Sequence, residues 1–267
     1  MKDQMRILVT NDDGVRAPGI KVLESIARQL SDDVWVVAPQ EEQSGTGHAL
    51  TYRDPLRLRQ VADNRFAVNG TPTDCVIIAM EKIFEDRRPD LILSGINSGE
   101  NLGESMTCSG TIGATFQGAL YGVPSIAMSQ VTKESYPVDW SVCEQYAVQV
   151  IRGLLAETWP SNTLMNVNFP HVPADQVKGI KMVPHGRRSE LSNMIECVDP
   201  RGVPYYWVGV LREDEHPRHN TDLWASNEGY ITVTPLQLDM TNHQVLDSIQ
   251  SRVNKEFEEP QVKTAVV

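Results

Sequence analysis

Arg6-Ile-Leu-Val-Thr-Asn-Asp-Asp-Gly14 decides the fold. Ile7, Leu8 and Val9 form an apolar run without alternation, the pattern of a strand buried on both faces in a parallel sheet. The run stops in a polar turn, Asn11-Asp12-Asp13-Gly14. Pro18-Gly19 then opens a helical pattern. Ile20, Leu23, Ala27 and Leu30 fall on one helical face, and proline suits a first helical turn. Asp33-Val-Trp-Val-Val-Ala38, closed by Pro39, reads as a second buried strand. Strand, helix and strand within about thirty residues make a βαβ unit.

The same alternation continues outward. Residues 56–58 and 66–68 read as short strands of a hairpin. Thr71-Pro72-Thr73-Asp74 supplies a capping oxygen and a first-turn proline for a helix running to about Phe84. Residues 89–94 are a third buried strand, followed by a loop over 95–103. Ser109-Gly110-Thr111 starts a helix through Tyr121, and residues 124–128 and 164–168 are further strands around a long helix over 138–157. After about residue 170 the alternation weakens into strands at 177–183, 205–211 and 230–234, broken by Pro200-Arg-Gly202 and Val203-Pro204. The expected architecture is α/β with a mostly parallel sheet over 1–175. A β-rich appendage follows over 176–241, then a helix and frayed tail over 242–267.

Composition narrows the function classes. The 267 residues are 40% apolar and 22% charged, which excludes disordered and fibrous proteins. No apolar run approaches the roughly 18–20 residues of a membrane span. The N-terminus lacks the apolar core of a secretion signal, so a cytoplasmic protein without a membrane partner is expected. With 35 acidic and 24 basic residues the net charge is −11, which disfavours a nucleic-acid polymer as partner. A small phosphorylated ligand stays compatible, because a bound cation reverses the local field. Cys75, Cys108, Cys143 and Cys197 are too far apart for a zinc ribbon or a disulfide framework, and reduced thiols in or near the core are expected.

Chemistry is expected at the carboxyl ends of the strands, where ligands bind in an open parallel sheet. Three polar clusters lie there: Asn11-Asp12-Asp13-Gly14, Gln43-Ser44-Gly45 and Ser94-Gly95-Ile96-Asn97. Adjacent Asp12 and Asp13 repel each other, and burying both is costly without a cation. Two carboxylates with amide and hydroxyl oxygens suit one hard divalent cation such as Mg²⁺ or Mn²⁺ rather than zinc. Ser109-Gly110-Thr111 at a helix start offers free backbone N–H groups to a phosphate, and Gly110 and Gly113 let it approach. No Walker motif, Gly-x-Gly-x-x-Gly fingerprint or Gly-x-Ser-x-Gly elbow is present. His48 lies near enough to Ser44 to reach the pocket, while His216 and His219 read as solvated loop histidines.

Taken in order, Ile7-Leu-Val-Thr-Asn-Asp-Asp-Gly14, Val36-Val-Ala-Pro39 with Gln43-Ser-Gly45, Asn69-Gly-Thr-Pro-Thr-Asp74, Ser94-Gly-Ile-Asn97 with Gly99 and Asn101, and Ser109-Gly-Thr111 resemble the SurE (survival protein E) 5′-nucleotidases. Thr221-Asp222, Gly229-Tyr230 and Thr234-Pro-Leu236 extend the resemblance over nearly the whole chain. It implies a Rossmann-like three-layer core and a smaller C-terminal part exchanged between subunits of a dimer, often within a tetramer. It also implies a metal-dependent phosphomonoesterase acting on nucleoside monophosphates, with the 3′ position an open alternative to the 5′. Carried over by motif, Asp12, Asp13, Ser44 and Asn97 would hold the metal. Asn11, Asn101, Ser109, Gly110 and Thr111 would contact phosphate. Cys108 stands where an aromatic is expected and Gln40 where an acid is common, and both bear on substrate preference.

The reading is hydrolysis of a phosphate monoester, with Asp12, Asp13, Asn101, Ser109 and Thr111 as the catalytic set. The proton acceptor stays open between Asp12 and Asp13, and an aspartyl-phosphate route through Asp12 is the mechanistic alternative. Adjacent acids fit that route poorly, since acids two apart are needed to share a strand face. A receiver domain would need an Asp after the third strand, where Ser94-Gly95-Ile96-Asn97 stands. A catalytically dead nucleotide-binding protein is the third reading, set against the complete ligand set.

Overall fold

The computed structural model describes residues 5–133, 137–188, 193–209 and 216–256. The opening βαβ unit is β1 (Ile7–Thr10), α1 (Pro18–Arg28) and β2 (Val34–Pro39). A hairpin follows, β3 (Leu58–Ala62) and β4 (Arg65–Val68), then α2 (Pro72–Ile78), whose last turn widens into a π-helical turn over Ala79–Ile83. Thr71 caps α2 as expected: its hydroxyl accepts the Asp74 N–H while the Asp74 carboxylate accepts the Thr71 N–H, a reciprocal capping box. Next come β5 (Leu91–Ser98), α3 (Gly110–Leu120), β6 (Ser125–Gln130), α4 (Ser141–Leu155) and β7 (Thr163–Phe169). The chain closes with β8 (Ile180–Met182), β9 (Asn193–Val198), β10 (Pro204–Gly209), α5 (Asp222–Asn227), β11 (Ile231–Gln237) and α6 (His243–Glu256).

Nine strands form one sheet in the order β3-β4-β2-β1-β5-β6-β7-β11-β8, parallel from β4 through β7. Both faces are covered, which is why the central strands read as unbroken apolar runs. Ile7 and Val9 point into one core with Leu23 and Ile26 of α1 and Val150 of α4. Leu8 points the other way, into a core with Val76 of α2 and Ala114 of α3. Side chains so enclosed each contribute roughly 1.5–3 kcal/mol relative to exposure.

Several elements depart from expectation. β5 does not stop at Ser94 but runs on through Gly95-Ile96-Asn97 to Ser98, with its register against β6 shifted between Ser94 and Asn97. Gly95 makes the shift possible: its φ of +128° is open to glycine, and a Cβ there would collide with the Met128 carbonyl oxygen. Within 176–241, β8 and β11 join the main sheet, with β11 antiparallel to β7. Among the described residues, only β9 and β10 form a separate two-stranded sheet. β9 and α5 were not anticipated, and Leu211 and the last ten residues lie outside the described residues. All four cysteines are free, Cys75 and Cys143 buried and Cys108 exposed. Among the described residues no helix is long and apolar enough to cross a membrane.

Candidate functional site

β1 has β2 on one side and β5 on the other, so successive connections leave the sheet in opposite directions at this point. Such a switch point opens a crevice at the carboxyl ends of the strands. Asn11, Asp12 and Asp13 follow β1 directly, and Asn97 and Ser98 close β5 beside them.

Three loops converge here through direct bonds. The Thr111 hydroxyl donates to Asp12 Oδ1 at 2.6 Å, latching the first turn of α3 onto the end of β1. Gly110 sits against the same carboxylate, where a Cβ would lie 2.8 Å from Asp12 Cβ. The Gln43 N–H donates to the Asp12 carbonyl at 2.8 Å, and the Gly47 N–H to the Cys108 carbonyl at 2.9 Å. The loop after β2 is thereby tied both to the acids and to the residue preceding Ser109. Ser109 caps α3, its hydroxyl oxygen accepting the Ile112 N–H at 3.2 Å.

Asp12 is only 4% exposed, and burial pushes its carboxyl up despite the Thr111 hydrogen bond. Asp13 is half-buried and is raised to about 7, first by burial and then by the negative Asp12 next to it. Asn11 donates through Nδ2 to the Gly14 carbonyl at 3.0 Å, while its buried Oδ1 accepts no hydrogen bond among the described residues. The buried hydroxyls of Thr10 and Ser94, in register across β1 and β5, have no partner there either. The two crowded carboxylates, whose burial and repulsion raise Asp13, carry the negative charge and oxygen donors that fit a hard cation. Asn97 donates to the Gly99 carbonyl at 2.9 Å, which leaves its Oδ1 as an acceptor. Ser44 is exposed and its hydroxyl donates to Glu42 Oε1 at 2.9 Å, so it stands at the rim, turned to Glu42. Among the described residues no three His, Cys, Asp or Glu side chains gather, so any cation here would depend on amide and hydroxyl oxygens beside the two acids.

Asp13 lines two clefts. One of about 470 Å³ is bounded by Arg16, Gln40, Glu41 and Arg59. The other, about 310 Å³, is bounded by Pro18, Ser98, Val138 and Trp140. His48 pairs with Gln117 on α3 at 2.9 Å. His216 and His219 are exposed, His219 lying against Trp224.

Asn101 is nearly buried beyond β5, where Asn168 Oδ1 accepts its N–H and Ser129 Oγ accepts a side-chain N–H, each at 2.8 Å. Sequence reasoning missed this support. The signal was present in Asn166-Val167-Asn168, two asparagines at alternate positions of a buried strand that disfavours them. Ser129 carried none. Asp222, noticed only as part of a motif, is fully buried and accepts the N–H groups of Gly103, Gly186 and Leu223 at 2.9, 2.5 and 2.7 Å. It thus anchors the loop just after Asn101 to α5.

The chain is similar to known proteins over most of its length. The family model described as "Survival protein SurE" matches residues 7–191. The 5′-nucleotidase SurE of Erythrobacter litoralis is 50% identical over 250 residues, covering 93% of this chain and 99% of that protein. The protein of the same name from Paramagnetospirillum magneticum is 49% identical over 247 residues, covering 92% and 95%. The crystal structure of the SurE protein from Aquifex aeolicus superposes with a TM-score of 0.82 at 39% identity, covering 93% of this chain and 99% of that one.

Proposed function

The chain belongs to the SurE family, and from that premise we propose that it is a phosphatase hydrolysing nucleoside 5′-monophosphates to nucleoside and phosphate at the β1–β5 switch point. The observation that carries this reading is the junction of Asp12 with the N-terminus of α3: Thr111 donates to Asp12 at 2.6 Å while Gly110 packs on the same side chain. An acid pair and an anion-binding helix terminus therefore share one crevice.

In this reading Asp12, Asp13, Asn97 and Ser44 would hold a divalent cation, Ser44 in place of its present bond to Glu42. Such a cation, Mg²⁺ or Mn²⁺, would supply charge neutralisation for the phosphoryl oxygens and a lowered pKa for a water. The chain's own groups do the rest. The α3 N-terminus and Ser109 bind the phosphoryl oxygens, and Asn101 contributes the N–H that Ser129 leaves free. Asn11 stands at the edge of this phosphate site. As the water oxygen bonds to phosphorus and the bond to the 5′ oxygen breaks, Asp13 takes the water's proton and, through solvent in the open clefts it lines, returns one to the departing 5′ oxygen. Asp13 lines both clefts, whereas Asp12 is engaged by Thr111 beneath Gly110. Thr111 acts on phosphate through Asp12 rather than by a hydroxyl of its own.

Within 176–241, where β8 and β11 belong to the main sheet, the β9–β10 hairpin is an arm that a second copy of the chain covers. Trp207 is 62% and Val208 78% exposed, and such apolar clusters mark interfaces. A dimer or tetramer in the cytoplasm is the form we infer. The test of the activity is release of phosphate from a panel of nucleoside 5′- and 3′-monophosphates. Activity should vanish with a chelator and return with Mn²⁺ or Mg²⁺. Full activity at verified zero metal content would rule the reading out.

A further inference from the structure

β7 alternates between two environments. Met165, Val167 and Phe169 enter one apolar core, while Asn166 and Asn168, both fully buried, occupy the opposite face. Burying two primary amides is costly unless their bonds are made. Here the bonds converge on one residue of the β5–α3 connection. Asn168 Oδ1 accepts the Asn101 N–H at 2.8 Å, and Asn168 Nδ2 donates to the Asn101 carbonyl at 3.2 Å. Asn166 Nδ2 donates to the same carbonyl at 2.8 Å. Ser129 of β6, in register with Asn168, accepts from Asn101 Nδ2 at 2.8 Å. Both backbone groups and the side chain of Asn101 are therefore fixed by three buried side chains on two neighbouring strands.

We propose that Ser129, Asn166 and Asn168 are positioning residues that seat Asn101 for phosphate capture, so that its remaining amide N–H is aimed before substrate arrives. This rests on the phosphatase reading above, in which Asn101 is a phosphate contact. A seat made only to fill space would take valine or leucine at these positions, without the desolvation cost of two amides. The regular structure of this connection begins only at the 3-10 helix over Gly103–Cys108, so Asn101 gains its fixed geometry from the rigid strands instead, and misplacing a contact by about an ångström can cost about a hundredfold in rate.

The test is a double-mutant cycle on the holoenzyme. Ser129→Ala and Asn168→Ala should each lower kcat/KM for a nucleoside monophosphate, and raise the inhibition constant of inorganic phosphate, by about ten- to hundredfold. Mn²⁺ affinity should stay at the wild-type value, a split that general loosening of the fold would not produce. In an Asn101→Ala background both changes should lose most of their effect, because they act through Asn101. Ser129→Ala removes a single hydroxyl and carries the test if Asn168→Ala does not fold. Folded variants with unchanged phosphate inhibition, or effects that persist in full without the Asn101 side chain, would overturn the proposal. A wild-type protein that hydrolyses no nucleotide would instead sink the phosphatase reading, and this inference with it.

Discussion

Replacing Gly110 with alanine places a methyl carbon 2.8 Å from Asp12 Cβ, 3.1 Å from Asp12 Oδ2 and 3.1 Å from Pro72 Cγ. None of these neighbours is the free end of a flexible chain: Asp12 is held by Thr111 and Pro72 lies in the first turn of α2. Relief requires Asp12 or the α3 terminus to move by several tenths of an ångström or more. Overpacking of this kind costs about 1–3 kcal/mol, which for a chain of this size lowers the melting temperature by roughly 2–12 °C. The same movement separates the acid from the α3 turn proposed to bind phosphate, and a misplacement near an ångström removes about a hundredfold of activity. Phosphate release from a nucleoside monophosphate at saturating Mn²⁺, with thermal melts in chelator, reads both effects. Gly153→Ala is the matched control, since Gly153 lies on the exposed side of α4 with open space where its methyl would go. It should gain about 0.5–1 kcal/mol of stability and leave turnover unchanged. Wild-type kcat/KM and stability in Gly110→Ala would mean that Asp12 is not fixed by α3, and the account of the site would fail at its central contact.

Asn97→Ala should weaken Mn²⁺ binding and recover part of its activity in excess metal. Ser109→Ala should lower turnover without rescue and cost about 1 kcal/mol as a lost cap; equal rescue of both would contradict the assignment. In chelator, stability should fall as pH rises from about 4 through about 7, because the folded protein keeps Asp13 protonated where the unfolded chain has released that proton. The Asp13 share is at most about 4 kcal/mol and is read as the difference between melts of wild type and Asp13→Asn; Mn²⁺ should flatten the fall, and apo stability rising over that range would refute it. Changing Trp207 and Val208 together to aspartate should leave the protein monomeric in sedimentation at micromolar concentration, whereas an unchanged assembly would remove β9–β10 from the interface.

What was legible in the sequence follows from how each element is buried. β1, β2 and β5 are covered on both faces, so their burial is written as uninterrupted apolar runs that need no knowledge of partners. β11 is written as Ile-Thr-Val-Thr-Pro-Leu-Gln, and its place in the main sheet depends on antiparallel pairing with β7 far earlier in the chain. No local pattern reports such a partner, so the strand read as part of an appendage. α5 spans six residues, too few to show a helical period. The continuation of β5 was hidden by Gly95, which reads as a turn and serves here as a bulge.

The candidate site divides along the same line. Asp12 and Asp13 were legible because they follow a buried strand, where uncompensated charge has to be explained. Thr111 was legible as part of a helix start, yet its use was not: its hydroxyl is committed to an acid 99 residues away. In the proposed site that changes its role, because a hydroxyl donating to Asp12 would orient the acid in place of a direct contact with phosphate. Ser44 shows the converse, a residue whose motif is intact but whose hydroxyl is turned to Glu42. Asn166 and Asn168 lie between these cases. Their polarity in an otherwise apolar strand was visible, and it marked a cost that something had to offset. What offsets it is Asn101, and that identity came only with the fold. Motifs therefore locate the acids and the start of α3, while the orientation of each donor depends on contacts that span the chain, which is why tests of the proposed site must separate what touches phosphate from what aims it.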